Sequence, residues 1–394
     1  MPAGVDSHDA SPTTTSDVAR MFTAFAATYP ELPLYRVICE GAAADDEVCE
    51  LLLAARPGQA RPVLFLAALQ DLLLRSPDLP AARWYPSVTG AAVPDGDPWP
   101  DVRATCLDHG AELRSVIGSR TTQTNEVNRV VHLAPLVAQA CIDVPSAPVV
   151  LVEMGASAGL LLGLDRYRIE LDVASEGEVM APLGDPGSPV VCRGELHHGR
   201  LPEDAALPTI VERVGLDLHP VILDDADEIR WLEACLWPEV PGRLDRFRTA
   251  VAVLRPDPPR VVEADMVDDL GPVAHAARAV ASASLAASSV AAEAVHVVVF
   301  STWALTYVSR ERRPEVATAL AGLAVDGRPV SWVTAEPPGC VPDIPAPDSD
   351  HLAGGPGGDT VLGARRWRQG RELAPACWGT AHPHGTWLRW TPTP

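Results

Sequence analysis

No lysine occurs anywhere in the 394 residues, so all 31 Lys/Arg positions are arginine. That absence removes the Schiff-base chemistry of an active-site amine, covalent attachment of pyridoxal phosphate and the lysine-bearing phosphate loop. Positive charge is scarce in general: Asp and Glu number 52, and the formal net charge is −21. Such a surface repels phosphate backbones and anionic lipid at long range, so neither nucleic acid nor membrane is expected as a partner. The eight cysteines are scattered, with no C-x-x-C pair and no zinc-ligand spacing, which reads as buried thiols in a reducing compartment. His197 and His198 are adjacent and would point to opposite faces of a strand, so no metal site is expected. The opening MPAGVDSHDASPTTTSD lacks the charged head and apolar run of a signal peptide, and no uncharged apolar stretch of about 18 residues occurs further on. A cytoplasmic protein with a small-molecule partner is the expectation, and composition is silent on oligomeric state.

The chain is rich in apolar residues, 47% of the total, enough for a substantial core. The polar, Pro/Ser/Thr-rich residues 1–17 read as a frayed tail. Helical periodicity begins at Val18 with Met21, Phe22 and Phe25 in step and returns over Glu47 to Ala55 and Val63 to Leu74. Beyond a loop from Pro86 to Pro100 it resumes over Val102 to Ile117 and Asn125 to Cys141, until Pro145 and Pro148 end it. Residues 18–147 therefore predict an all-helical cap.

From Val149 the texture changes to short β-rich runs alternating with helical segments, the pattern of a parallel sheet covered on both faces. The runs are Val149 to Met154, Val211 to Leu218, Arg260 to Glu263, Val295 to Phe300 and Val330 to Thr334. An Ala/Ser-rich helix is predicted over Ala274 to Ala294, a Pro/Gly-rich loop over Pro337 to Asp359, and a last strand in HPHGTWLRW. The expected fold is α/β, with a mostly parallel Rossmann-like sheet over residues 148–394.

The first run delivers Glu153 and then Gly155, Ser157 and Gly159 in alternation before an apolar segment, LLLGLDRY, read as helical. Small residues there let backbone approach a ligand, and a helix amino terminus offers unpaired N–H groups. Asp217 ends the second run, where a doubly wound fold places an acid against ribose hydroxyls. Asp265 comes after the third, where a carboxylate can accept from an adenine amino group, and the fourth runs into Ser301 and Thr302. Singly, each of these acids reads as a strand-end cap; the ordered series is what carries weight.

The pattern E-x-G-x-x-x-G, then G-x-D, then an acid after the third strand resembles the S-adenosylmethionine-dependent methyltransferases. Over roughly residues 20 to 390 the chain is also similar to a family of bacterial proteins of unknown function sharing that fold. The segments carrying the likeness include LPLYRVICEGAAADDEV, TTQTNEVNR, VEMGASAGLLLGLDRYR, GLDLHPV, RWLEACLWPE and HPHGTWLRW. The resemblance implies S-adenosylmethionine as cofactor, with Glu153, Gly155, Ser157, Gly159, Asp217, Asp265 and Ser301 lining its pocket. Asn128, Leu161 and Ser301 depart from the family pattern, which usually has glycine, asparagine and histidine there.

Methyl transfer asks for alignment, exclusion of water and, where the acceptor loses a proton, a base. Thr121 to His132 is the densest polar cluster outside the sheet. A helix from Asn125 places Asn125, Arg129 and His132 on one face, with Gln123 and Asn125 as substrate contacts and His384, in its P-H-G turn, at the site edge. Glu126, His132, Tyr307 and Glu336 are candidate bases, and Arg129 a donor. The leading expectation is methyl transfer to a small molecule. Two alternatives stand beside it: a cofactor-independent elimination or cyclisation on the same scaffold, and a non-catalytic partner subunit. The tryptophans, Trp84, Trp231, Trp237, Trp303, Trp332 and Trp378 among them, are read chiefly as core.

Overall fold

The computed structural model describes residues 14–90, 92–173, 178–179, 183–202, 206–287, 295–347 and 358–392. The chain divides into two compact units, Met1–Asn125 with Asp225–Arg248, and Glu126–Asp224 with Thr249–Pro394. The division falls earlier than the Pro145/Pro148 boundary read from sequence, and the first unit takes in a later segment that sequence placed in the α/β domain.

The first unit is helical because its apolar residues recur at helical spacing and its helix starts are capped. Thr14 and Asp17 form a reciprocal capping box on the helix Thr15–Thr28, so residues 14–17 of the expected tail are ordered into a helix start, and residues 1–13 lie outside the described ones. Asp45 and Asp225 cap Asp46–Leu52 and Ala226–Ala234 by accepting first-turn N–H groups. The helix Pro62–Arg75 is the centre of this unit, buried over most of its length. Its Gln70 accepts from the Tyr35 hydroxyl at 3.0 Å, and its buried Asp71 is held by Arg75 and Arg230 at 3.1 and 2.9 Å. The stretch read as one helix from Val102 to Ile117 is two, Trp99–Asp108 and Gly110–Ser119, meeting at His109. Glu239 explains why the later segment belongs here. Its carboxylate accepts from the Leu34 and Tyr35 N–H groups at 2.6 and 3.0 Å, capping the helix Pro33–Ala43 from about 200 residues away in sequence.

The second unit is built on one mixed sheet. In chain order its strands are β1 (Val149–Met154), β2 (Arg168–Val173), β3 (Glu178–Val179), β4 (Leu183–Gly184), β5 (Val191–His198), β6 (Ile210–Asp217) and β7 (Arg260–Glu263), then β8 (His296–Thr302), β9 (Val330–Glu336), β10 (Thr360–Arg368), β11 (Arg371–Glu372), β12 (Ala376–Ala381) and β13 (Trp387–Trp390). They lie in the order β3-β2-β5-β13-β12-β10-β9-β8-β1-β6-β7. The five strands expected from sequence form the parallel run β9-β8-β1-β6-β7. The chain starts at the middle of this run, moves outward through β6 to β7, and returns to the other side with β8 and β9. That reversal beside β1 is a topological switch point, where open α/β sheets bind ligands beyond the carboxyl ends of their strands.

The sheet is largely parallel, as expected, and in its far half β5 pairs parallel with both β2 and β13. The pairings of β10 with β9, β10 with β12 and β12 with β13 are antiparallel, and the segment from β2 to β5 replaces the crossover helix between β1 and β6. One face of the parallel run packs Val150, Val152, Val297, Val299 and Trp332 against the helices Leu270–Ala287 and Arg313–Leu323. The other face carries Glu153 and lies under the helix Val130–Cys141, whose Cys141 meets His296 at 3.5 Å. Helices thus cover both faces, as expected. Among the described residues no helix is long and apolar enough to cross a membrane. The expected helix Ala274 to Ala294 is Leu270–Ala287, with residues 288–294 outside the described ones, as are 348–357 of the expected Pro/Gly-rich loop.

Candidate functional site

At the carboxyl end of β1 the chain turns through Gly155, Ser157 and Gly159, all left-handed with φ of 70°, 51° and 69°. Gly155 makes the tight turn and backs onto Ala304, 3.0 Å from where a Cβ would stand; Gly159 abuts Pro259 and Val261 at 2.9 and 3.0 Å. Those are the turn and packing roles of the first and third glycines of a nucleotide-binding loop. The middle position is Ser157, whose N–H donates to Asp217 at 2.7 Å. The next segment is a 3₁₀ helix, Leu160–Arg166, in place of the expected α-helix. It is too short to align the peptide dipoles of a longer α-helix.

Asp217 stands at the end of β6 as expected, but both its oxygens accept backbone N–H groups, Ser157 at 2.7 Å and His219 at 2.8 Å. Its carboxylate ties the two strand-end loops together. Asp265, after β7, accepts from Val267 and Asp268 at 2.8 and 3.0 Å. Burial pushes its carboxyl up, but those two N–H groups and Arg312 outweigh it and hold it below its usual value. Both acids therefore do structural work at the loops where sequence placed ligand contacts.

Glu153 is different. It is the one charged residue of β1, 4% exposed, and its Oε2 meets no hydrogen-bond partner among the described residues. Burial raises its pKa well above the usual carboxylate range, the nearby Asp217 charge raises it further, and Arg129 opposes them. Arg129, also buried, donates from Nε to the Pro383 carbonyl at 3.0 Å and from its terminal nitrogen to the Thr302 carbonyl at 3.1 Å. It pins the end of β8 to the turn between β12 and β13. His132, one turn on, is fully buried with neither ring nitrogen partnered among the described residues. Burial, with Arg129 and His382 adding to it, lowers its pKa to about 3, so the ring is neutral.

Glu336 ends β9. Its Oε1 accepts from the Ala304 and Leu305 N–H groups at 3.1 and 3.3 Å, and its pKa is raised to about 7 by burial against those bonds, Ser301 and Arg129. The turn it holds begins at Trp303, left-handed at φ 58° and fixed by its indole N–H to Thr360 at 2.8 Å. A non-glycine residue there is strained, and such strain gathers at binding loops.

Arg129 bears on His132, Glu153 and Glu336, but not through the expected helix, and Ser301 leaves the sheet face opposite Glu153. Glu126 accepts from the Asn128 N–H at 3.0 Å and caps a 3₁₀ turn, Val127–Arg129, before the α-helix starts at Val130. Glu126 is therefore a cap where sequence offered a base. Tyr307 is 78% exposed at the end of the short helix Leu305–Tyr307 and is not in a pocket wall. Gln123 and Asn125 belong to the helical unit; the Gln123 backbone bonds the Cys235 thiol. His384 stays in its turn, its N–H donating to His382 Nδ1 at 3.1 Å. Trp84, Trp231, Trp332 and Trp378 are core residues. No metal-binding group of His, Cys, Asp and Glu occurs among the described residues.

Sequence marked Asn128 only as a departure from pattern. Its amide donates to the Arg193 and Gly385 carbonyls at 2.9 Å each and accepts from the Arg193 N–H at 3.0 Å, joining β5 to the turn before β13. Asn128→Ala should lower stability by about 2–3 kcal/mol, because several backbone groups lose their partner. Urea unfolding measures it, and a change within about 0.5 kcal/mol would contradict this role.

A parallel run that reverses beside β1, with unmatched buried carboxyls at its strand ends, defines an α/β protein with its candidate site at the switch point. The chain belongs to the family described as "Uncharacterized protein conserved in bacteria (DUF2332)", which matches residues 19–390. No curated protein and no solved structure matches it.

Proposed function

We propose that this protein is an S-adenosylmethionine-dependent methyltransferase acting on a small molecule. The observation that carries the reading is Glu153: a buried carboxyl lacking a partner for one oxygen among the described residues, two residues before a left-handed glycine turn, on the strand where the sheet order reverses. A ligand presenting an ammonium group to Glu153 would relieve a desolvation penalty that the protein otherwise bears. The glycine turn supplies a close backbone approach, and Asp217 holds that turn in place from behind. Glu336, raised to about 7, is the group suited to take a proton from an acceptor near neutral pH, whereas His132, lowered to about 3, stays neutral and serves only as a hydrogen-bonding group.

A specific observation favours a second reading, in which the scaffold works without the nucleoside. The middle glycine position is Ser157, and its N–H is already spent on Asp217. Calorimetry with S-adenosylmethionine and S-adenosylhomocysteine separates the two. Saturable binding with methyl turnover in a bacterial metabolite extract supports methyl transfer; no heat at millimolar ligand removes it.

A further inference from the structure

The ends of β8 and β9 hold a second group of unmatched polar atoms, on the sheet face opposite Glu153. Ser301 and Thr334 are register partners, and Glu336 lies two residues beyond Thr334, so all three side chains leave the same face. Each is at most 1% exposed. Thr334 Oγ1 has no hydrogen-bond partner among the described residues, and Ser301 Oγ and Glu336 Oε2 make no bond of sound geometry there, although the Ser301 hydroxyl lies close enough to the Glu336 carboxyl to lower its pKa; a buried polar atom that nothing met would cost about 1–3 kcal/mol. The other oxygen of Glu336 is anchored by Ala304 and Leu305, so the unmatched one is held in a fixed direction.

Three oxygens, one on a carboxyl and none on a nitrogen donor, suit a particular chemistry. A phosphate or carboxylate would meet the like charge of Glu336, with the two hydroxyls of the group as its only side-chain donors. A divalent cation asks for six or more oxygens, and only three unmatched side-chain oxygens converge here among the described residues. A primary ammonium carries one positive charge and three N–H donors, one for each oxygen. We propose that Ser301, Thr334 and Glu336 form a subsite for the primary ammonium group of a small-molecule ligand. The subsite stands whether or not a nucleoside binds at Glu153, because it lies on the other face and uses different side chains.

Binding requires the ionised carboxylate. The charged and titratable groups bearing on Glu336 are Arg129, which favours ionisation, and Cys340, whose thiol burial pushes to about 12 and keeps neutral; Arg310 and Arg313 act on Cys340 in turn. With Glu336 titrating at about 7, an ammonium ligand binds about tenfold more tightly near pH 8 than near pH 6.

The probe is methylammonium, compared with tetramethylammonium, which has the charge but no N–H donor. Methylammonium should raise the melting temperature of the full-length protein near pH 8 and much less near pH 6, while tetramethylammonium should not raise it. Crystals soaked in methylammonium should show its nitrogen within hydrogen-bond distance of all three oxygens. Glu336→Gln keeps an acceptor for Ala304 and Leu305 and should abolish the difference between the probes. If that variant fails to fold, Thr334→Val, equal in volume, should weaken methylammonium binding severalfold. Equal effects of the two probes, or ordered water alone at the three oxygens in soaked crystals, would overturn the assignment.

Discussion

Arg129→Met is expected to destabilise the protein by about 3–5 kcal/mol, because it leaves two buried backbone carbonyls without a donor and takes the nearby cation from two buried carboxyls. Methionine keeps the apolar stem but abandons the carbonyls of Thr302 and Pro383, to which the guanidinium donates at 3.1 and 3.0 Å. It also removes the cation that opposes the raised pKa of both Glu153 and Glu336. The melting temperature should fall by on the order of 10 °C. The origin of the loss can be checked by a double-mutant cycle in urea. Adding Glu153→Gln to Arg129→Met should destabilise less than the sum of the single changes, since the acid no longer needs a counter-charge. Strict additivity, or a loss below about 1 kcal/mol for Arg129→Met, would show that the arginine is not the charge that balances this edge.

A second large effect concerns pH. His132 and His296 are both lowered by burial to about 3 from an ordinary 6.5. Their unfolded forms bind protons first, so each removes stability as pH falls below 6.5, at about 1.4 kcal/mol per pH unit. Glu153 and Glu336 are raised, Glu336 to about 7 from 4.5. Their folded forms bind protons first, so each adds stability over the same fall, until the unfolded carboxyls also protonate near 4.5. Between about pH 6.5 and 4.5 two losing and two gaining groups offset, and stability contributed by these four should be nearly flat. Glu336→Gln removes one gaining group, so its stability relative to wild type should decline by about 1.4 kcal/mol per pH unit on acidification through this window. Chemical denaturation at several pH values reads this slope. A variant that tracks wild type in parallel would mean that Glu336 titrates at an ordinary carboxyl value.

The strands of the parallel run were legible because buried parallel strands are written as uninterrupted apolar runs. β1 and β7 fall on the residues expected from sequence, and β6, β8 and β9 within two or so at either end. The inserted β2 and β5 strands lack such an uninterrupted run because charged residues break them, RIELDV and VCRGELHH, although VCRGELHH does alternate in burial. That Arg129, His132, Glu153 and Ser301 are buried was also legible, since polar residues inside apolar runs need a reason to be there. The jobs of individual acids were not. Asp217, Asp265, Glu126 and Glu239 each bind backbone N–H groups. Which N–H a strand-end or loop carboxylate meets depends on tertiary approach, as with Glu239 and Leu34, and leaves no local mark. Thr334 lay unnoticed within VSWVTAE, although a hydroxyl two residues before a buried Glu on one strand face was a signal available to a period-two reading.

On the proposed reading, the β1 switch point binds S-adenosylmethionine through Glu153. The most direct measurement is titration calorimetry of S-adenosylhomocysteine into wild type and Glu153→Gln, with circular dichroism confirming that both are folded. Saturable binding by wild type, weakened about tenfold or more in the variant by loss of a buried charge-assisted contact, is the predicted result. Identical affinities, or the absence of binding to a folded wild-type protein at millimolar ligand, would contradict it.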